Sequence, residues 1–110
     1  MHRFTKKDTN KTISRDALKE KISNNQSISL IDVREEEEHL LFNIGGVNIP
    51  LSTFLNQADF HYSIQDEIVV YCQKGNRSNQ AAAYLFAKGF QNAVSLQGGM
   101  DLWQKLPVIL

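Results

Sequence analysis

The chain has 110 residues, of which 42% are hydrophobic, and its 12 basic and 12 acidic residues give a formal net charge of zero. This composition predicts one globular domain with a buried core and excludes a disordered chain. The balanced charge gives no indication of a nucleic-acid or anionic-membrane partner, and no run approaches the roughly 20 apolar residues that span a bilayer.

Cys72 is the only cysteine in the sequence. One cysteine cannot form an internal disulfide, and polar residues follow the basic amino-terminal segment where a secretory leader would be apolar. These features predict a cytoplasmic protein. A structural zinc site needs about four Cys or His ligands, so we expect no metal, and nothing in the sequence indicates an organic cofactor.

The polar segment 1–12 is predicted to be a loose arm, and 13–110 a single domain. Ser14 is a candidate N-cap for the first helix, and Ser52 for a later one. The elements predicted in chain order are a helix over 15–23, a strand over 28–33, a helix over 35–41, a turn at 45–46, a strand over 47–49, a helix over 53–57, a strand over 67–71, a helix over 78–88, a strand over 93–96 and a last short helix that contains Leu102 and Trp103.

Strands alternate with helices along the whole chain, and the strands are continuous apolar runs. Such runs are typical of strands that are covered on both faces, so the sequence predicts an α/β fold with a mainly parallel central sheet. Ligands of these sheets bind beyond the carboxyl ends of the strands. Cys72 directly follows the strand over 67–71, which makes it a candidate site residue.

The segment after this strand reads Cys72-Gln73-Lys74-Gly75-Asn76-Arg77-Ser78. A thiol at this position faces the backbone N–H groups of the loop and the positive end of a helix dipole, and both favour the nucleophilic thiolate. Lys74 and Arg77 add positive charge. The alternative is that Cys72 is only a small buried apolar residue at a strand end.

The number of residues between Cys72 and Arg77 separates two chemistries. Phosphatases that form a cysteinyl-phosphate need five intervening residues to enclose a tetrahedral phosphate, whereas this loop has four. A shorter loop makes a tighter cup, better sized for one extra sulfur atom and its negative charge. The spacing therefore favours a persulfide-forming enzyme over a phosphatase or arsenate reductase on the same scaffold.

This loop resembles the C-x-x-G-x-R-S active-site loop of single-domain rhodaneses, the thiosulfate sulfurtransferases. Three further segments resemble the family's signatures in the same order: 30–35 (L-I-D-V-R-E), 43–50 (N-I-G-G-V-N-I-P) and 94–103 (V-S-L-Q-G-G-M-D-L-W). The resemblance extends over about residues 14–104 and implies a three-layer α/β/α rhodanese-like fold.

Two positions depart from the family pattern. Asn43 stands where many rhodaneses have histidine, and His39 stands where tyrosine is common. The Asn-Ile-Gly-Gly form resembles one branch, the rhodanese domain at the C-terminus of adenylyltransferases of molybdopterin and thiamine biosynthesis. Neither position is the nucleophile, so these departures do not exclude catalysis.

The resemblance implies that Cys72 carries a persulfide, which Gln73–Ser78 hold. The donor would be thiosulfate or a protein persulfide, and the acceptor cyanide, a thiol or a sulfur-carrier protein. A non-catalytic binding domain of the same fold is the alternative, which the intact Cys72 and Arg77 disfavour. Asp32 and Arg34 are expected to brace the loop, although a local salt bridge of Arg34 with Glu38 is equally consistent with the sequence.

Overall fold

The structure is a computed structural model and describes residues 11–105. In chain order its elements are β1 (Thr12–Ile13), α1 (Arg15–Ser23), β2 (Ser29–Asp32), α2 (Glu36–Leu41), β3 (Val47–Asn48), α3 (Leu51–Asn56), β4 (Ile68–Tyr71), α4 (Asn76–Ala87), β5 (Ala93–Leu96) and α5 (Gly99–Trp103).

The five strands form one sheet in the order β1-β5-β4-β2-β3, and every neighbouring pair is parallel. The predicted α/β class with a mainly parallel sheet is therefore confirmed. β4 lies at the centre, between β2 and β5, and all four of its residues are buried. The strand that leads to Cys72 is thus the most enclosed strand of the sheet.

Alternate residues of β4 divide the core between the two faces of the sheet. Ile68 and Val70 pack in a cluster with residues of α3 and α4, while Val69 and Tyr71 pack with residues of α1 and α5. This division follows from the two-residue period of a strand. Helices therefore cover both faces, which confirms the three-layer arrangement.

The carboxyl ends of β2 and β4 lie side by side. Asp32 is the register partner of Tyr71, and the backbone N–H of Val33 donates to the Tyr71 carbonyl at 3.0 Å. Parallel pairing brings the residues that follow the two strands to one edge of the sheet. This edge places Arg34 beside the loop that begins at Cys72.

Besides shifts of one residue at several element ends, the structure differs from the sequence-based expectations in three places. Thr12, which was expected in the loose arm, pairs with Ser95 in the parallel sheet; residues 1–10 of that arm lie outside the described residues. The predicted cap at Ser52 was wrong, because α3 begins at Leu51 with Pro50 before it and the Pro50 carbonyl accepts from Phe54. α4 begins two residues earlier than predicted because Gly75 turns the chain directly into it.

Helix α1 begins as predicted. The Ser14 side chain accepts a hydrogen bond from the Ala17 N–H at 3.1 Å. Between residues 11 and 105, no helix is long and apolar enough to cross a membrane.

Candidate active site

Cys72 lies at the carboxyl end of β4 and is 1% exposed. Its Sγ atom accepts hydrogen bonds from the backbone N–H of Gly75 at 3.1 Å and of Ser78 at 3.2 Å, and it lies 3.4 Å from the Ser78 hydroxyl oxygen. Three polar groups of one loop therefore converge on the sulfur. Donors aimed at sulfur stabilise a negative charge on it.

The shape of this loop depends on Gly75, whose φ of +115° lies in the region that favours glycine. Gly75 precedes the first residue of α4, a helix of 12 residues. The turn at Gly75 aims the first N–H groups of α4 back at Cys72, because these groups have no partner within the helix. Both N–H donors to the sulfur thus arise from the start of one helix.

Helix α5 holds the backbone of the loop from the other side, and a second glycine, Gly99, allows its close approach. The N–H groups of Met100 and Asp101, in the first turn of α5, donate to the carbonyls of Cys72 and Gln73 at 2.9 Å each. A Cβ atom at Gly99 would overlap both carbonyl groups. The close approach of α5 to the backbone of Cys72 and Gln73 therefore requires glycine at position 99.

The other predicted loop residues have different surroundings. Lys74 and Asn76 are exposed and line, with Cys72, a pocket of about 410 Å³. The Gln73 side chain turns to the neighbouring strand end: its Oε1 accepts from Arg34 at 3.1 Å, and its Nε2 donates to Asp101 at 2.6 Å. Among the described residues, only Gly75 and Ser78 donate a hydrogen bond to the sulfur.

Arg77 forms a two-fold hydrogen-bonded ion pair with Glu38 of α2. Its Nη1 and Nη2 atoms lie 2.8 Å and 3.0 Å from the two carboxylate oxygens. The hydrogen bonds from Arg77 lower the pKa of Glu38 to about 2, against the opposing effect of burial. Donating these hydrogen bonds to Glu38 in turn raises the pKa of Arg77. Glu38 also lines the pocket beside Cys72.

Asp32 and Arg34 form a second pair, which is buried. The Arg34 Nη2 atom donates to Asp32 at 2.7 Å and its Nε atom at 3.0 Å, and Arg34 also donates to the Phe42 carbonyl. Burial lowers the pKa of Arg34, but the hydrogen bond and charge of Asp32 raise it, and the net pKa lies above its usual value. The proposed local salt bridge of Arg34 with Glu38 is wrong, because Glu38 pairs with Arg77.

The two positions that depart from the family pattern belong to the surroundings of this buried pair. The His39 Nδ1 atom lies 2.8 Å from an Asp32 carboxylate oxygen. The Asn43 side chain donates to the His39 carbonyl and accepts from the Gly45 N–H. Both residues therefore fix the segment between α2 and β3, and neither is among the hydrogen-bond partners of Cys72 in the described part of the chain.

Sequence reasoning missed three residues that contact the loop. The sequence indicated Glu38 only as an alternative partner of Arg34, yet its spacing from Glu35 fits a capping box, which the structure contains and which orients its carboxylate. Ser95 is buried in β5 and its hydroxyl lies 2.7 Å from that of Ser78. Asp101 binds Gln73. No spacing rule links Ser95 or Asp101 to Cys72, because their proximity arises from strand order.

The described part of the chain contains no group of three or more His, Cys, Asp or Glu side chains that could hold a metal ion. The polar groups that the site does contain are the Cys72 sulfur, the backbone N–H donors of Gly75 and Ser78, and the charged side chains of Lys74, Arg77 and Glu38. The expectation that no metal takes part stays a prediction.

Comparison with known proteins agrees with this geometry. Residues 14–106 match the Rhodanese-like domain family, and the chain belongs to that family. It is 36% identical over 83 residues to thiosulfate sulfurtransferase GlpE of Pseudomonas fluorescens, an alignment that covers 72% of each protein. It is also 36% identical over 92 residues to a candidate sulfur carrier protein, YrkF of Bacillus subtilis; this match covers 83% of the chain but 49% of YrkF.

A solved structure supports the fold assignment. The crystal structure of a rhodanese-like domain protein from Staphylococcus aureus superimposes with a TM-score of 0.75 at 28% identity, and the match covers 91% of this chain and 99% of that one. The rhodanese resemblance that the four sequence segments indicate is thereby confirmed for fold and family. The chain spans about half the length of one of its curated relatives, YrkF.

Proposed function

We propose that this protein is a sulfurtransferase that carries a sulfane sulfur as a persulfide on Cys72. The observation that supports this most directly is the pair of N–H groups, of Gly75 and Ser78, that donate to the Cys72 sulfur. Membership of the rhodanese family supports the same reaction class. Gln73, Lys74, Asn76 and Arg77 surround the position that the outer sulfur and the donor would occupy.

The reaction has two displacement steps. The Cys72 thiolate attacks the outer sulfur of thiosulfate, the S–S bond of thiosulfate breaks with its electron pair leaving on sulfite, and Cys72 becomes a persulfide anion. An acceptor thiolate or cyanide then attacks the outer sulfur, and the breaking S–S bond returns the electron pair to Cys72. The loop N–H groups face negative charge in both resting forms, so they stabilise the thiolate and the persulfide anion alike.

Two alternatives are weaker. A phosphatase or arsenate reductase would need room for a tetrahedral oxyanion, and four residues between Cys72 and Arg77 form a cup that is small for one. A non-catalytic binding domain would not need N–H groups aimed at a sulfur atom. Asp32 and Arg34 are assigned a supporting role, because Arg34 donates a hydrogen bond to the side chain of Gln73, the first residue of the loop after Cys72.

The physiological partners are proposed only by class. A thiol, cyanide or the thiolate of a sulfur-carrier protein would satisfy the second step, and a small sulfur donor or protein persulfide the first. A cytoplasmic location and a role in molybdopterin biosynthesis stay predictions from the sequence. No organic cofactor enters either displacement step.

The intact mass of the protein after incubation with thiosulfate tests the proposal. We expect a gain of one sulfur atom that cyanide removes, because Cys72 alone can hold a persulfide. In the Cys72→Ser variant the gain should be absent, and the thiosulfate:cyanide activity should fall to the uncatalysed background. A folded Cys72→Ser variant that keeps most of the activity would contradict the mechanism, and turnover of an aryl phosphate would favour the phosphatase alternative.

A further inference from the structure

The charged side chains that line the pocket beside Cys72 differ in whether they are free to bind a ligand. Lys74 and Arg77 are the two cations, and Glu38 is the one carboxylate. Both terminal nitrogens of Arg77 donate to Glu38, whereas no carboxylate of residues 11–105 lies within ion-pair distance of Lys74. An incoming donor therefore meets one available cation, Lys74, beside an arginine whose hydrogen-bonding capacity is already used by the Glu38 carboxylate.

The Glu38 carboxylate is held in place from two sides. Besides Arg77, the backbone N–H of Glu35 donates to its Oε1 atom at 3.0 Å, which completes the capping box of α2. With a pKa of about 2, Glu38 is charged at any pH at which a thiolate could react. The negative charge at the pocket is thus permanent.

This arrangement affects possible donors differently. Arginine binds oxyanions best through two parallel N–H···O bonds, and that capacity of Arg77 is already used by Glu38. A dianion such as thiosulfate must either displace Glu38 from Arg77 or bind beside a fixed carboxylate. A persulfide whose single charge lies on sulfur requires neither, because the N–H groups of the loop are aimed at sulfur.

We propose that Glu38 is a specificity-determining residue that disfavours dianionic sulfur donors and leaves the pocket suited to singly charged persulfides. This inference rests on the proposed sulfurtransferase function and narrows its donor class. The physiological donor would then be a thiol persulfide, which the protein would use more efficiently than thiosulfate.

Steady-state kinetics with two donors, thiosulfate and mercaptoethanol persulfide, test the inference. Glu38→Gln removes the charge but keeps an oxygen that can accept from Glu35. We expect kcat/KM for thiosulfate to rise about fivefold, mainly through a lower KM, because Arg77 is released toward the donor. The value for mercaptoethanol persulfide should change less than about twofold.

Two further variants separate charge at this position from net charge and from folding. Glu37→Gln makes the same charge change at an exposed neighbouring position of α2 and should alter neither donor's kcat/KM by more than about twofold. Glu38→Asp keeps the carboxylate and should leave thiosulfate as poor a donor as it is for the unmodified protein.

The outcomes distinguish this inference from the proposed function. A folded Glu38→Gln variant with unchanged or lower kcat/KM for thiosulfate would overturn the specificity role, as would an equal rise for both donors. If the unmodified protein forms no persulfide from either donor, the proposed function itself fails. If Glu38→Gln does not fold, Glu38→Asp is the variant that remains for the test. An equal rise in kcat/KM for thiosulfate and for mercaptoethanol persulfide in Glu38→Asp would also contradict the inference.

Discussion

Two arginine–carboxylate pairs flank the Cys72 loop, and they differ mainly in burial. In the pair of Asp32 and Arg34 the side chains are 0% and 2% exposed, whereas in the pair of Glu38 and Arg77 they are 33% and 32% exposed. The first pair joins residues two positions apart at one strand end. The second joins two helices across 39 positions of sequence.

The difference in burial divides their roles. The carboxylate of Asp32 accepts from Arg34 and lies beside His39, while Arg34 reaches Phe42 and Gln73, so this pair is a rigid support with every buried polar atom satisfied. The half-exposed pair has water as an alternative partner. A pair of this kind contributes little to stability, and its value lies in the charge that it presents to the pocket.

Breaking the buried pair should have the largest effect on stability. We expect Asp32→Ala to lower the free energy of unfolding by about 3–5 kcal/mol, because it leaves the Arg34 charge buried without its partner. Chemical denaturation measures the change. The double variant Asp32→Ala with Arg34→Met should recover part of the loss, and a single-variant loss below about 1 kcal/mol would show that water enters to solvate Arg34.

The half-exposed pair should contribute less, and its contribution should depend on pH. Glu38→Gln is expected to cost about 0.2–1 kcal/mol of unfolding free energy at neutral pH. The pKa of Glu38 is lowered from 4.5 to about 2, so the charged pair stabilises the fold above pH 4.5 and loses this effect as the pH falls toward 2.

Denaturation of the unmodified protein and of Glu38→Gln at a series of pH values measures this dependence. The difference between the two should be constant above pH 5 or so and should vanish near the lowered pKa of Glu38. Glu37→Gln serves as the control, since Glu37 is exposed on the same helix. A difference that persists unchanged at the lowest pH would mean that the carboxylate charge does not matter to stability.

The smallest change in stability is expected at Lys74, which belongs to neither pair. Lys74→Ala should leave the melting temperature nearly unchanged but raise KM for thiosulfate about two- to fivefold, because a cation at the pocket increases the local concentration of a dianion. The effect should weaken with added salt, which screens charges beyond about 8–10 Å.

Lys88→Ala provides a matched control for this prediction. Lys88 follows the last residue of α4, whereas Lys74 precedes its first, so the helix separates them by roughly 18 Å at 1.5 Å per residue. Equal thiosulfate kinetics for the two variants at low salt would mean that Lys74 has no more effect on the donor than any exposed lysine. A large loss of thermal stability in Lys74→Ala would instead mean that this side chain holds the loop.

Much of the fold could be predicted because the strands and helices carry local signals. The apolar run that ends at Tyr71 and the cap at Ser14 are examples, and both lie as predicted within one residue. The edge strand β1 could not be predicted, because a strand of two residues shows no periodicity. The pairing of its Thr12 with Ser95 is set by the rest of the sheet.

In the candidate site, too, the features that could be predicted are those that lie within one segment of the sequence. Cys72, Gly75 and Ser78 form one continuous segment, so their convergence is a local property of the loop. Glu38 pairs with Arg77 only because β2 and β4 are neighbours, whereas sequence spacing alone suggested Arg34 as its partner. The pattern of the loop indicated Cys72 as the candidate nucleophile, while the charge balance of its pocket depends on long-range contacts.

The hydrogen bonds from α5 to the Cys72 loop have a consequence for the order in which the site is assembled. The carbonyls of Cys72 and Gln73 are held by N–H groups of Met100 and Asp101, nearly 30 positions later in the chain. During synthesis the cysteine emerges well before the helix that fixes its backbone. A nascent chain therefore displays the thiol before α5 is available to fix the backbone of its loop.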